Sequence, residues 1–171
     1  MILPDSGERR QFESGAVRDI AHGKGRCDLM PLGVIGEWMG HDCLMYIDEY
    51  LYTGNLCFLW KTLIAFMDYR EMDQYTSLLE VAKHFEDGAV KYGDRNWEKG
   101  IPVHCYIDSA VRHYLKYYRG DKDEPHDRAF MWNILCAIWT HEHHPELRDI
   151  PAYNLEKEPK CNECNAGTSN A

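Results

Sequence analysis

The chain reads as an all-α helical bundle, and three observations predict it. Apolar residues recur at i, i+3, i+4 and i+7 in several separate stretches, the spacing of one helical face. Glycine, asparagine and proline punctuate those stretches where helices start and stop. No convincing strand, internal repeat or low-complexity region interrupts them. At 171 residues, with 44% apolar and 27% charged residues, one domain with a real core is the simplest organisation, spanning residues 1–151.

Taken in order, residues 1–14 are polar and read as an arm. Next come Ser14-Gly15-Ala16-Val17-Arg18-Asp19 and then Gly23-Lys24-Gly25-Arg26-Cys27-Asp28. Two glycines around a lysine can turn backbone N–H groups and two cations toward a phosphate. It is not a Walker A loop, because no Ser or Thr follows the lysine and no strand precedes it. Residues 32–52 read as a helix whose broad face carries Ile35, Trp38, Met39, Cys43, Tyr46, Ile47 and Tyr50. Thr53-Gly54-Asn55 stops it, and Leu56, Leu59, Trp60, Leu63, Ile64 and Met67 mark a second helix. The pair forms an αα-hairpin with aromatics suited to core or subunit contact.

Residues 77–116 concentrate charge and aromatics beyond what a connector needs. The first helix there has an apolar face of Leu78, Val81, Ala82, Phe85 and Ala89, and a polar stripe of Glu80, His84 and Asp87. Gly88 inside it costs about 1 kcal/mol relative to Ala, which points to a close approach at that position. Gly93-Asp94-Arg95-Asn96-Trp97 breaks the helix and gathers a cation, an amide and an indole. Asp108, Arg112 and His113 lie about one turn apart on the next helix. A third helix runs from Pro125 to about His143, with Pro125 in its first turn and the acids before it facing the positive end of the macrodipole. Residues 152–171 form a polar tail, in which Cys161 and Cys164 make half of a zinc motif.

Net charge is −9, which argues against a nucleic-acid polymer as partner. Seven scattered cysteines without a signal-peptide pattern suit reduced thiols in the cytoplasm. No apolar run reaches the roughly 20 residues of a membrane span. Set side by side, the three central helices offer Glu80, Glu86 or Asp87, then Asp108, then Asp123, Glu124 or His126. Hard carboxylate oxygens suit Mg²⁺ or Mn²⁺, which bridge to phosphate oxygens, and Lys91, Arg95 and Arg112 would flank such a centre.

Five blocks, residues 14–19, 23–29, 85–100, 108–113 and Asp123-Glu124-Pro125-His126 through Trp132-Asn133, together resemble the phage-associated dATP/dGTP diphosphohydrolase family, itself related to MazG-like all-α nucleoside triphosphate pyrophosphohydrolases. The Gly88-Ala89-x-Lys91-Tyr92 and Arg95-Asn96-Trp97 run is its most specific part, and the resemblance covers residues 12–31 and 77–140. It implies a MazG-like bundle in which residues 33–76 are an inserted helical hairpin. The chain departs from the two ExxE carboxylate pairs of MazG-like proteins: Lys83 stands where Glu80 would find its second acid, and His126 and Asn133 stand on the third helix. A histidine ligand would also admit Mn²⁺ or another transition ion.

The implied reaction cuts a (deoxy)nucleoside triphosphate to the monophosphate and pyrophosphate. Glu86 and Asp108 are the first metal-ligand candidates, with Glu80, Asp123 and His126 beside them, and the carboxylates and His113 are candidates for proton transfer. Lys24, Arg26, Lys91, Arg95 and Arg112 would hold phosphates, Trp97 would stack on the base, and Asn96 would bond the base or sugar. Aromatics of residues 33–67, with the habit of MazG-like proteins, imply a homo-oligomer. Competing readings are an HD-type phosphohydrolase built on His41-Asp42 or His126-Asp127, a nucleotide-sequestering protein, and a structural protein.

Overall fold

Helix boundaries follow the local chemistry, and one of them divides what the apolar pattern joins. The computed structural model describes residues 7–71 and 73–154. The stretch 32–52 is two helices, α1 (Leu32–Met39) and α2 (Asp42–Thr53), because Gly40 takes the left-handed conformation at φ +68° and stops the first. Gly36 lets them fold against each other: a Cβ there would lie 2.8 Å from Met45 Cγ and 3.0 Å from the His41 carbonyl oxygen. After Gly54 and Asn55, as the stop signal indicates, α3 (Cys57–Tyr69) begins. The described residues continue with α4 (Gln74–Tyr92), α5 (Val103–Arg119), α6 (His126–His143) and a short α7 (Pro151–Asn154). The Asp73 carboxylate caps α4, accepting the Thr76 N–H at 2.9 Å, so this helix starts earlier than its apolar pattern suggests.

The fold is all-α apart from a small ribbon that the sequence pattern conceals. Strands β1 (Arg9–Gln11) and β2 (Val17–Asp19) pair antiparallel, with Arg10 opposite Arg18, so part of the expected arm of residues 1–14 is a strand paired with the block that follows it. Three-residue strands are too short for a period-2 pattern to show. Cys161 and Cys164 lie outside the described residues.

Helix α6 is buried nearly all round and packs chiefly on α5 and α4. Phe130 of α6 meets Phe66 of α3 at 4.5 Å between ring centroids and Tyr114 of α5 at 5.2 Å. Leu44, Ile47 and Tyr50 of α2 and Leu59 of α3 are fully buried, so residues 33–76 share the main core. Trp38 and Trp60 are instead exposed, at 84% and 46%.

The buried face of α4 is Ser77, Val81 and His84, rather than the face centred on Leu78 and Ala82; Leu78 is half exposed. The helix is turned because its polar residues find partners on α6. Asp87 receives Arg128 Nη2 at 3.0 Å, and the His84 ring lies 5.5 Å from that of Trp132. Removing Asp87 would strand a buried guanidinium, at a cost of about 3–5 kcal/mol. A Cβ at Gly88 would meet nothing within 4 Å, so no protein group makes the expected close approach there.

Asp149 secures the start of α5. One oxygen accepts the His104 backbone N–H at 3.0 Å, and the other bonds His104 Nδ1. The carboxylate, and secondarily Cys105, raises the His104 pKa from 6.5 to about 10. Because the folded value lies above the unfolded one, this stabilisation is complete below pH 6.5 and is lost as pH rises toward 10. Chemical denaturation from pH 6 to 10 should therefore show a decline in stability that Asp149→Asn flattens; an unchanged slope would refute the linkage.

Candidate functional site

The residues around the α4–α5 turn converge on one cleft of about 920 Å³. Its walls are the second half of α4, the turn 93–98, the inner face of α5, the entry to α6 and the ribbon with the loop that follows it. Gly93, at φ +89°, ends α4 and lets the chain reverse at the rim. Glu86, Lys91, Arg95, Asn96, Trp97, Asp108, Arg112, His113, Lys24 and Asp123, singled out in the sequence, all line this space. Three do not. Arg26 forks onto Asp28 and faces a separate hollow, Glu80 pairs with Lys83 on the outer face of α4, and His126 is buried behind the cleft wall.

Placement assigns different work to residues that look alike in sequence. Asp108 is buried with both oxygens engaged: Oδ1 accepts the Cys27 N–H at 2.7 Å, and Oδ2 accepts from Arg112. Arg112 also donates to the carbonyls of Lys24 and Gly25, at 3.1 Å each. The pair thus docks the glycine-rich loop onto α5 and presents Lys24 to the cleft. Asn96 is likewise committed, accepting the Val17 N–H at 2.9 Å and donating to the Val17 carbonyl at 2.8 Å. Its amide imitates a neighbouring strand and pins β2 to the turn.

The cleft carries as many Lys and Arg side chains as carboxylates, in a chain of net charge −9. Lys91 bonds Asp19 at 2.7 Å, and Lys116 bonds Asp123 at 2.8 Å. Partial burial lowers the Lys24 pKa, with Arg112, Lys91 and Arg18 adding to it and Asp19 opposing. Arg18, in no way marked by the helical pattern, donates Nη2 to Asn133 Oδ1 and lies 5.0 Å from the Tyr106 ring centroid. Its other terminal nitrogen is buried and has no hydrogen-bond partner among the described residues, and the same holds for His84 Nδ1 and Trp132 Nε1. Around them stand Phe85, 5.6 Å from Trp97 and 5.8 Å from Trp132 between ring centroids. Burial, reinforced by Arg128, pushes the His84 pKa down to about 4, leaving a neutral ring at pH 7. Unsatisfied donors beside aromatic faces can receive a planar polar group, and the flanking cations can receive its negative charge.

At the α5–α6 entry His113 and Glu124, both half-buried, face His126. The two Nδ1 atoms are 3.0 Å apart, and Glu124 Oε1 lies 3.5 Å from that of His113 and 3.6 Å from that of His126. Burial first, and His126 second, hold the His113 pKa well below its ordinary value; burial pushes Glu124 up. Two imidazole nitrogens beside a carboxylate are a chemically sound donor set for a divalent ion. The carboxylates at Glu80, Glu86 and Asp108 do not gather in this way among the described residues. Arg18, Trp132 and Lys116 carry weight here that sequence spacing did not assign them, although Trp132 and Arg18 stand in the conspicuous blocks; Glu124 is one of the three alternatives that the sequence offers at the start of the third helix.

The family model described as dATP/dGTP diphosphohydrolase, N-terminal, matches residues 67–150, a little under half of the chain. That segment holds the turn, α5, the α6 entry and the greater part of the cleft lining. No curated protein and no solved structure matches the chain. No helix among the described residues is long and apolar enough to cross a membrane.

The double bond between Asn96 and Val17 makes a direct test. Asn96→Ala leaves two strand groups unpaired beside Arg18 and should cost about 1–3 kcal/mol in urea unfolding. It should also open residues 9–19 to limited proteolysis, whereas unchanged protection would mean the ribbon is held otherwise.

Proposed function

We propose that this chain, whose residues 67–150 belong to the dATP/dGTP diphosphohydrolase N-terminal family, hydrolyses dATP and dGTP to the monophosphate and pyrophosphate. The observation that carries the reading is one cleft joining a cationic rim to an aromatic floor with unpaired donors. Its volume, about 920 Å³, suits a nucleotide-sized ligand.

Lys24 and Arg18 bind the triphosphate from the ribbon side, and Lys91 and Arg95 from the α4 side. Their charge opposes the negative charge that grows on the bridging oxygen as the α–β linkage breaks. Trp97 and Phe85 bound the base, and His84 offers it a neutral ring. Asp108, Arg112 and Asn96 are positioning residues that hold the Lys24 loop and β2 against the helices. Glu86, on the rim of α4, makes no ion pair among the described residues and is the carboxylate suited to take a proton from the attacking water. A divalent ion, Mg²⁺ or Mn²⁺ by the chemistry of phosphates, would be held by His113, Glu124 and His126 and would supply charge neutralisation.

An HD-type site is disfavoured by the paths of the two His-Asp pairs. His126 faces His113 while Asp127 turns to Arg70 at 2.6 Å, and the His41 ring sits against Tyr114 and Tyr118. A sequestering protein would use the same cleft without turnover.

Incubating dATP or dGTP with either metal and separating products by chromatography tests the reaction. The expected products are dNMP and pyrophosphate; tripolyphosphate would establish the HD chemistry, and binding without turnover the sequestering role. Glu86→Gln should lower kcat by about 10²–10⁴-fold with unchanged circular dichroism, the usual effect of losing a general base. We further propose a homo-oligomer, since Trp38, Trp60, Ile64, Tyr75 and Leu79 are exposed. Light scattering that gives only the 20.0 kDa chain at micromolar concentration would overturn this.

A further inference from the structure

We infer that His113, Glu124 and His126 form a resident transition-metal site that takes Mn²⁺, or a comparable imidazole-binding ion, in preference to Mg²⁺. Three donor atoms from three places in the chain form a compact triangle with edges of 3.0, 3.5 and 3.6 Å. Those edges are close to what neighbouring ligands span when each lies about 2.1 Å from one ion. His113 and Glu124 also line the cleft, so an ion there would keep coordination positions open toward a ligand.

The surroundings support a ligand set over an ordinary polar cluster. His126 Nε2 lies 2.8 Å from Asp123 Oδ1, so the carboxylate accepts a hydrogen bond from the Nε2–H and leaves Nδ1 facing His113 and Glu124 as the ligand nitrogen. Lys116, at 2.8 Å from the other Asp123 oxygen, holds Asp123 in place. A second grouping, Asp121, Asp123 and His126, is less suitable: Asp121 is paired with Arg119, Asp123 with Lys116, and it draws on the imidazole nitrogen already bonded to Asp123.

The donor types set the preference. Mg²⁺ demands near-octahedral oxygen ligands and gives up water reluctantly, whereas imidazole suits later first-row ions. Two imidazoles and one carboxylate therefore favour Fe²⁺ or Zn²⁺ most, and Mn²⁺ over Mg²⁺. This rests on the functional reading only for what the ion does during turnover; binding itself needs no nucleotide.

The test uses the chelator-stripped full chain and Mn²⁺ as probe, an ion that the cysteine thiols hold weakly. Mn²⁺ binding is followed by electron paramagnetic resonance, with Mg²⁺ as competitor and electron spin-echo modulation reporting nitrogen ligands. The expected result is one Mn²⁺ per chain with imidazole ¹⁴N modulation, surviving a tenfold excess of Mg²⁺. His113→Gln and Glu124→Gln should each weaken binding at least tenfold, with circular dichroism confirming that both are folded. Asp123→Asn, a positioning change, should weaken it about 10–100-fold while retaining the nitrogen signal. Asp121→Asn should change nothing. Binding without ¹⁴N modulation, displacement by equimolar Mg²⁺, or full affinity in both His113→Gln and Glu124→Gln would overturn the site. Metal binding without any dNTP turnover would leave the site standing and refute the hydrolase reading.

Discussion

Helix α6 binds its neighbours through buried polar side chains, and the arrangement of the rest depends on those bonds. Each goes to a different element: Arg128 to Asp87 of α4, Asn133 to Arg18 of the ribbon, His126 to His113 of α5, and His141 to Tyr50 of α2 at 2.8 Å. Apolar packing alone would let neighbouring helices rotate or slide at small cost. A buried polar group left without its partner costs several times more than a misfitted methyl, so each bond selects one register. The exposed side of α4, with Leu78 and Leu79 facing out, is the visible consequence.

The same bonds make the cleft. Asn133 holds Arg18 and Asn96 holds Val17, which closes the ribbon over the end of the helical bundle and brings basic residues of the N-terminal segment opposite α4 and α5. Asp108 and Arg112 do equivalent work for the loop that carries Lys24. A carboxylate and a guanidinium that look catalytic by type are spent on assembly, while Arg18 and Trp132 keep unfilled donors. That division fits a site that binds an anionic, aromatic ligand in an otherwise acidic protein.

Chemistry at the α5–α6 entry has a different origin. His113 belongs to α5, and Glu124 and His126 stand at the entry to α6, 11 and 13 positions further along the chain. The connection between the helices returns the chain so that the two imidazoles meet at 3.0 Å. Burial keeps His113 neutral, the form in which imidazole binds a metal ion.

Much of this was legible in the chain itself. Periodicity revealed the helices, Gly54 and Gly93 their ends, and the blocks around residues 85–113 and 123–133 the material of the cleft, because these are local properties of neighbouring residues. The break at Gly40 and the ribbon at 9–19 were missed: a single glycine and three-residue strands leave too weak a pattern. Which face of α4 is buried, which of Glu80, Glu86, Asp108 and Glu124 faces the cleft and which is spent on a partner are not local properties. Acidic side chains on helices are alike until a neighbour engages them, and those neighbours, Lys83 for Glu80, Arg112 for Asp108 and the imidazoles for Glu124, include residues brought close only by the packing of α5 against α6.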